Sequence, residues 1–452
     1  MKKKFLLLVL VPSTLITSHS LIAVEQVDFN SAASIFLNKN ASVLKSRAAI
    51  LSYQALQAKA DSLSEPKFTM ISYVGPIFKA EGDALSVTRD YSKWGPIIGA
   101  DAEILWPIYS FGNIERLEEA AFSARMAGEA IAKSEINGHL YDFKEIYLGL
   151  VLLKRLKPVL DEADSTIKKV LAEAQQRYQQ GDGEIQQRDV ARIQVFAAEV
   201  EKYLSEWRTR KAQGELALGH LLGKSGPVEI IEDDFPELEL EGAGFKLLVD
   251  RMWDTNPDWQ AISEGLRARE GQLDAAENSG LPVFFIGGRV SAATTAMRTD
   301  QDSSFAQDPY NKIDGEFGVG FRWKWPGSEE ESEVLNAKAE VEKLKAQQKE
   351  AKSGLPLQVF IAKKDLDHAD NLWTLSATKL KAASRWSISE LTAFETGVGE
   401  PKNLLEGFAA SLLAEKEVIE AQYKYCLAWA KLAAAVGDQT ALSAWEGSLA
   451  AD

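Results

Sequence analysis

Hydrophobic and polar positions alternate strictly through "IDGEFGVGFRWKW", residues 313–325. Ile313, Gly315, Phe317, Val319, Phe321, Trp323 and Trp325 fall on one side. Asp314, Glu316, Gly318, Gly320, Arg322 and Lys324 fall on the other. A period of two predicts a strand with one dry and one wet face. Pro326 stops the pattern, and the helix-former run "GSEEESEVL" follows at once. The same alternation runs from Ile98 through Ala100, Ala102 and Ile104 to Trp106, with Gly99, Asp101 and Glu103 opposite. In a further segment Phe284, Ile286, Val290 and Ala292 oppose Arg289 and Ser291, while the segment after Pro66 is apolar on both faces. Strands are therefore expected over about 67–76, 96–107, 282–295 and 313–325.

Between the strand pairs the period changes. Asn113 to Gln180 and Glu329 to Thr396 read as helix for 68 residues each, which at 1.5 Å per residue would reach roughly 100 Å. Ile136, Leu140, Phe143, Tyr147 and Leu150 recur at spacings of 4, 3, 4 and 3, the seam of a coiled coil. Pro158 and Pro356 each remove an internal hydrogen bond, so a kink or break is expected near both. Returning helices are expected over about 186–222 and 402–436, and leading ones over about 26–62 and 245–278.

These elements occur twice. "NKNASVL" at Asn40 returns as "DTNPDWQAI" at Asn256, "SEPKFTMISY" as "GLPVFFIGG", "ILWPIYSFGNIERLEEA" as "RWKWPGSEEESEVLNA", and "RYQQGDGEI" as "AFETGVGEP". The offset is 216 residues in three of the four and 219 in the other. Four matches in one order at nearly one offset indicate a duplicated unit, too long for a small solenoid repeat. The expected organisation is a first repeat over 24–223, an acidic linker over 224–244, a second repeat over 245–437 and a tail over 438–452.

The chain opens with "MKKKFLLLVLVPSTLITSHSLIA". Three lysines, an apolar core of about ten residues and small residues near Ser20 or Ala23 predict a secretory signal peptide over residues 1–23. That core is short of the roughly 20 residues a membrane-spanning helix needs. The sole cysteine, Cys426, lies in an apolar helical run and is expected to be a small core residue. A formal net charge of −15 excludes a phosphate-binding surface on the whole-chain scale, so nucleic acid is not an expected partner. Mean hydropathy of −0.18 fits a folded chain and not a multi-span helical membrane protein. His139, His220 and His368 are far apart in sequence, and there is no CxxC, nucleophile elbow or phosphate loop. "GEFGVG" is rich in glycine but lies inside an alternating strand, not before a helix N-terminus. No enzyme activity, cofactor or metal is expected.

Strands of about 9 to 13 residues suit a tilted membrane crossing, and equally an amphipathic strand of a soluble sheet. The tryptophans closing the apolar face, the ions on the opposite face and the long polar loops "IFKAEGDALSVTRDYSKW" and "AMRTDQDSSFAQDPYN" favour the membrane. Four strands cannot close a barrel around water, and open edges are not tolerated in lipid. Three chains would supply twelve strands, and two only eight.

The ordered set of features, "WPIYSFG" and "WKWPGSEE" at the strand-to-helix passages with "RYQQG…RDV" and "FETGVGEPKNLL" at the hairpins, resembles the outer-membrane efflux proteins of the TolC type over nearly the whole mature chain. That resemblance implies a mainly α fold with transmembrane β: a duplicated strand-strand-long helix hairpin unit forming a trimeric 12-stranded β-barrel that continues into an α-helical periplasmic tunnel. It implies a homotrimer in outer-membrane lipid that docks a periplasmic adaptor and an inner-membrane pump of RND or ABC type, expelling drugs or secreting proteins. Gly181, Gly183, Gly397 and Gly399 would form the adaptor-facing helix tips by allowing positive φ. Trp106, Pro107, Trp323, Trp325 and Pro326 would mark the membrane-interface junctions. Carboxylates would ring the periplasmic entrance, and the matching positions are Asp189, Asn403 and Glu406, with Glu184 and Glu400 nearer the tips. Two departures are visible. The first tip carries two more residues between Gly181 and Asp189 than the second between Gly397 and Asn403, and Asn403 stands where the family often has an acid. The alternative is a periplasmic coiled-coil structural or adaptor protein with soluble strands.

Overall fold

The computed structural model describes residues 25–83, 86–181, 185–236, 238, 244–301, 307–325 and 327–437. The segment expected to be a signal peptide, the tail, Gly183, Glu184 and Pro326 lie outside them. In chain order the elements are β1 (Glu25–Val27), α1 (Phe29–Lys39), α2 (Ala41–Asp61), β2 (Lys67–Gly82), β3 (Val87–Tyr109), α3 (Asn113–Gln179), α4 (Gln187–Leu221), β4 (Val228–Ile230), α5 (Phe245–Thr255), α6 (Pro257–Glu277), β5 (Val283–Thr294), β6 (Lys312–Arg322), α7 (Ser328–Glu395) and α8 (Pro401–Val436).

The leading helix of each half is broken by one residue. Asn40 and Asn256 leave the helical region, and each side chain accepts hydrogen bonds from two amides of the next helix: Ser42 and Val43 for Asn40, Asp258 and Trp259 for Asn256. Each amide also donates to the far end of its returning helix, Asn40 to the Leu221 carbonyl at 2.9 Å and Asn256 to the Ala435 carbonyl at 3.0 Å. One asparagine thus starts one helix and closes another, which explains its recurrence at the repeat offset.

Neither long helix is interrupted at its proline: α3 is continuous across Pro158 and α7 across Pro356. The expected break is absent. Each proline removes only one hydrogen bond, and the turn around it is held by packing, with Val159 and Leu160 buried in α3 and Leu355 and Val359 in α7. The core is helical. The Leu140–Leu150 seam is filled by α1: Phe36 stacks on Phe143 at 4.9 Å, and Phe29 meets Tyr147 edge-on at 5.2 Å. The acidic linker is docked along α3 through residues 228–234. β1 pairs in parallel with β4, Lys154 bonds to Asp233 at 2.8 Å, Arg155 to Asp234, and Glu232 receives the Phe29 amide and the Tyr147 hydroxyl. Burial, then that bond to Glu232, pushes the Tyr147 phenol far above its ordinary range. Cys426 is a buried free thiol in the same core.

β2, β3, β5 and β6 form one antiparallel sheet in the order β2-β3-β5-β6. The first hairpin is longer than the alternation predicts. β2 continues to Gly82 and β3 starts at Val87, so most of the polar "IFKAEGDALSVTRDYSKW" is strand, not loop. Charged residues there conceal the strand because neither face of this extension is uniformly dry. β3 also continues through Pro107 to Tyr109, with a bulge between Pro107 and Tyr109 opposite β5. The missing proline N–H thus falls at an irregularity, beyond the last residue paired with β2.

Candidate functional site

Register decides what the sheet presents. Phe68, Ile104, Gly288 and Phe317 stand in one cross-strand row, and Met70, Ala102, Val290 and Gly315 in the next but one. The rows that alternate with these, on the opposite face, are Thr69–Glu103–Arg289–Glu316 and Ile71–Asp101–Ser291–Asp314. One face is therefore apolar and the other carries the charges, as alternation demands. Arg289 stands between Glu103 and Glu316 and bonds Asp101 at 3.1 Å. Sequence reading assigned Arg289 to the polar face but could not find this row, which exists only once register is set. Tyr73 lies over Gly99 on that same face.

The apolar face has no covering layer within the chain: Ile313, Phe317 and Val319 are 86%, 79% and 77% exposed. β2 and β6 pair on one side only, leaving two open edges. No helix among the described residues is long and apolar enough to cross a membrane, which leaves the sheet untouched by that criterion.

The junction tryptophans have a second role. The indole N–H of Trp106 donates to the Ser64 carbonyl at 3.1 Å, and that of Trp323 to the Gly280 carbonyl at 3.0 Å. Each twin pins the turn that leads from helix into strand, while remaining half exposed. Trp325 stacks on Trp323 at 4.4 Å. Into α3 the chain turns through Phe111 and Gly112, both at positive φ, and the Ser110 hydroxyl caps Ile114. Into α7 the Gly327 amide donates to Glu330 at 2.8 Å, and Lys324 pairs with the same carboxylate. The Lys324 contact, then that amide, hold the Glu330 carboxyl down to about 2.

At the opposite end, Gly181 and Gly397 terminate α3 and α7 with φ of 76° and 79°. Gly399 differs from expectation: its φ is not positive. A Cβ there would stand 2.7 Å from the Phe394 nitrogen, so glycine is needed for close approach of backbone. Arg177 lies over the Phe394 ring at 5.1 Å and links the two tips. Asp189 is only 8% exposed. Its carboxylate accepts the Gln186 amide at 3.1 Å and faces Arg192 at 3.3 Å, so it starts α4 as a cap. Glu400 is the N-cap of α8 and Asn403 and Glu406 follow, all three exposed, with Lys402 3.8 Å from Glu406. The chain brings none of these four polar residues into direct contact with another, except through the Glu400 carbonyl, which accepts the Asn403 amide at 3.0 Å.

At the far end of the sheet, Arg298 is held between the Phe78 and Tyr310 rings at 4.5 and 4.7 Å. Burial opposes charge on Asp308, but the amides of Tyr310, Asn311 and Gln301 hold its carboxyl below the usual range. Among the described residues no three His, Cys, Asp or Glu side chains are grouped to hold a metal.

No protein-family model and no curated protein matches this sequence. Solved structures do match, and over most of the chain. The Campylobacter jejuni CmeC outer membrane channel is 14% identical, with a TM-score of 0.71 over 90% of this chain and 85% of that one. The Vibrio cholerae outer membrane protein VceC is 17% identical, with a TM-score of 0.70 over 90% and 95%. The open state of the Neisseria gonorrhoeae MtrE outer membrane channel is 16% identical, with a TM-score of 0.67 over 90% and 88%. The fold of this chain is the one these proteins share.

Proposed function

We propose that this chain is one third of an outer-membrane channel: a homotrimer acting as the passive exit duct of a tripartite efflux or type I secretion system. An inner-membrane pump of RND or ABC type, with a periplasmic adaptor, would deliver the substrate and supply the energy. The carrying observation is the single-layer sheet with one apolar face, one charged face and two open edges. Such a sheet is unstable alone in water or in lipid, and closure with two more copies removes every edge. Twelve strands then turn the apolar rows to lipid and the Glu103–Arg289–Glu316 row to a watery lumen. Trp94 and Trp106 lie on the apolar side of β3, twelve residues apart. That is roughly 40 Å along the strand, or about 30 Å across the membrane at a tilt near 40°, the hydrocarbon thickness.

From that barrel α3 and α7 would carry the duct across the periplasm. The tips at Gly181 and Gly397 would meet the adaptor, and Glu400, Asn403 and Glu406 would face the entrance, with Asp189 contributing charge partly offset by Arg192. Purified chain should migrate as a heat-modifiable trimer and form discrete conductance steps in planar bilayers. Folded protein that forms no channel would sink the proposal. The alternative, a periplasmic coiled-coil structural or adaptor protein with soluble strands, predicts release from membranes without detergent, and the uncovered Ile313–Phe321 face argues against it.

A further inference from the structure

A cavity of about 320 Å³ lies where the two helical hairpins meet, between α3, α7 and α8. Its chemistry is not that of a plain packing seam. Ala163, Ile167 and Val170 from α3, Leu391 from α7, and Phe408 and Leu412 from α8 give it an apolar wall. Two carboxylates border that wall from opposite hairpins, Glu415 half-buried on α8 and Glu162 exposed at the rim on α3. Among the described residues neither side chain has a hydrogen-bond or ion-pair partner. The neighbouring lysines are committed elsewhere, Lys416 to Glu420 at 2.8 Å and Lys379 to Glu417. Ser384 and Ser411 also line the cavity, their hydroxyls 3.5 Å apart.

Burial, and then the charge of Glu162, push the Glu415 carboxyl above its ordinary range. A half-buried acid facing an apolar void, with a second acid at the rim, keeps its charge at a cost that a cation seated between the two would offset. The volume sits at the low end for small-molecule pockets, room for one ring and a short chain and far too little for a helix.

We propose that this cavity binds a small amphiphilic cation, an aliphatic or aromatic body carrying one primary ammonium group. The body fills the space lined by Ile167, Phe408 and Leu412. The ammonium donates to Glu162, Glu415 and a serine hydroxyl, and its charge relieves their repulsion. Because α3 belongs to the first hairpin and α7 and α8 to the second, the occupant ties the hairpins together. This assignment is independent of the channel reading, since binding is measured on the purified chain whether or not it conducts.

Calorimetry with 4-phenylbutylammonium, and with 4-phenylbutanol and 4-phenylbutyrate as uncharged and anionic counterparts, tests it on the full-length protein. The ammonium should bind once per chain, and the alcohol and the acid at least roughly tenfold more weakly, the loss of one charge-assisted contact. Glu415→Gln preserves shape and should weaken the ammonium by roughly tenfold while leaving the alcohol unchanged. Ala163→Phe should fill the cavity and abolish binding of both, with an unchanged helical signal by circular dichroism. Equal affinity for ammonium and alcohol, indifference to Glu415→Gln, or persistence of binding in a folded Ala163→Phe protein would each overturn the assignment.

Discussion

Removing the side chain of Asn256 tests how the two halves are built. Its oxygen accepts from Asp258 and Trp259 at 2.9 and 3.1 Å, and its nitrogen donates to the Ala435 carbonyl at 3.0 Å, at a buried position. Loss of an N-cap costs about 1 kcal/mol. Loss of the donor, with a buried carbonyl left unsatisfied, costs about another 1–2 kcal/mol. Asn256→Ala should therefore destabilise the α5–α6 junction by about 2–3 kcal/mol, and Asn256→Ser, which keeps an acceptor for the cap, by only about half as much. Hydrogen exchange in the segment from Met252 to Ile262 reads this locally, without requiring reversible unfolding of the whole assembly. The expected acceleration is roughly 30- to 150-fold for alanine and about 5- to 15-fold for serine, at 1.4 kcal/mol per tenfold. Asn40→Ala should act alike on the α1–α2 junction, because Asn40 makes the same three bonds. If serine and alanine behave identically, or if Asn40→Ala leaves exchange unchanged, the double role of these asparagines is wrong.

The tips carry two different glycine requirements. Gly181→Asn should be nearly neutral, because positive φ is tolerated by asparagine and the site is open, whereas Gly399→Ala should loosen the turn and expose it to limited proteolysis. The Cys426 thiol, pushed up to about 12 by burial, should resist maleimide at pH 8 in the native protein and react fully in denaturant; rapid native labelling would refute its burial. Glu330 titrates from an ordinary 4.5 to about 2 in the folded chain, so its contribution is complete above 4.5 and is lost as pH falls toward 2. Fluorescence of the Trp323–Trp325 pair should shift across that window in the wild type and not in Glu330→Gln. On the apolar face, Ala102→Arg should abolish trimer assembly, at about 2–4 kcal/mol per midplane arginine, while Ser291→Arg on the charged face should assemble.

Much of this fold was legible because the duplicated backbone makes the same local demands twice. A helix start needs its asparagine, a strand end its tryptophan and a tip its glycine, so Asn40 and Asn256, Trp106 and Trp323, and Gly181 and Gly397 recur. Alternation over Ile98–Trp106 and Ile313–Arg322 survived because each face meets one environment along its length, whereas the strand stops at Arg322 and not at Trp325 as expected. What escaped depends on partners far away in sequence. The seam through Phe143 and Tyr147 announced a helical neighbour but not that α1 supplies it through Phe29 and Phe36. Strands as short as Glu25–Val27 and Val228–Ile230 have no periodicity to detect. Among the expected entrance acids, Asp189 reads as a free carboxylate until the Gln186 amide and Arg192 are seen to occupy it.

The two ends of the strand bundle differ in how they are secured, and that difference bears on how a duct of this kind would move. At the tryptophan end β3 and β6 lead into α3 and α7 through capped helix starts, and their indoles pin the turns from α2 into β2 and from α6 into β5. At the other end the loop around Arg298 is bolted to the first hairpin by ring contacts, by the Ala80 amide on the Met297 carbonyl at 3.0 Å and by Gln301 on Gly82. Both ends of the sheet are thus fastened by bonds with large sequence separation. The helical tips are held by packing of Ile185, Phe394 and Leu404 into the core, by the cation–π contact between Arg177 and Phe394 and by local caps, with no hydrogen bond of large sequence separation among the described residues. Local stability follows the density of such long-range contacts, so displacement under load should begin at Gly181 and Gly397 and not in the sheet.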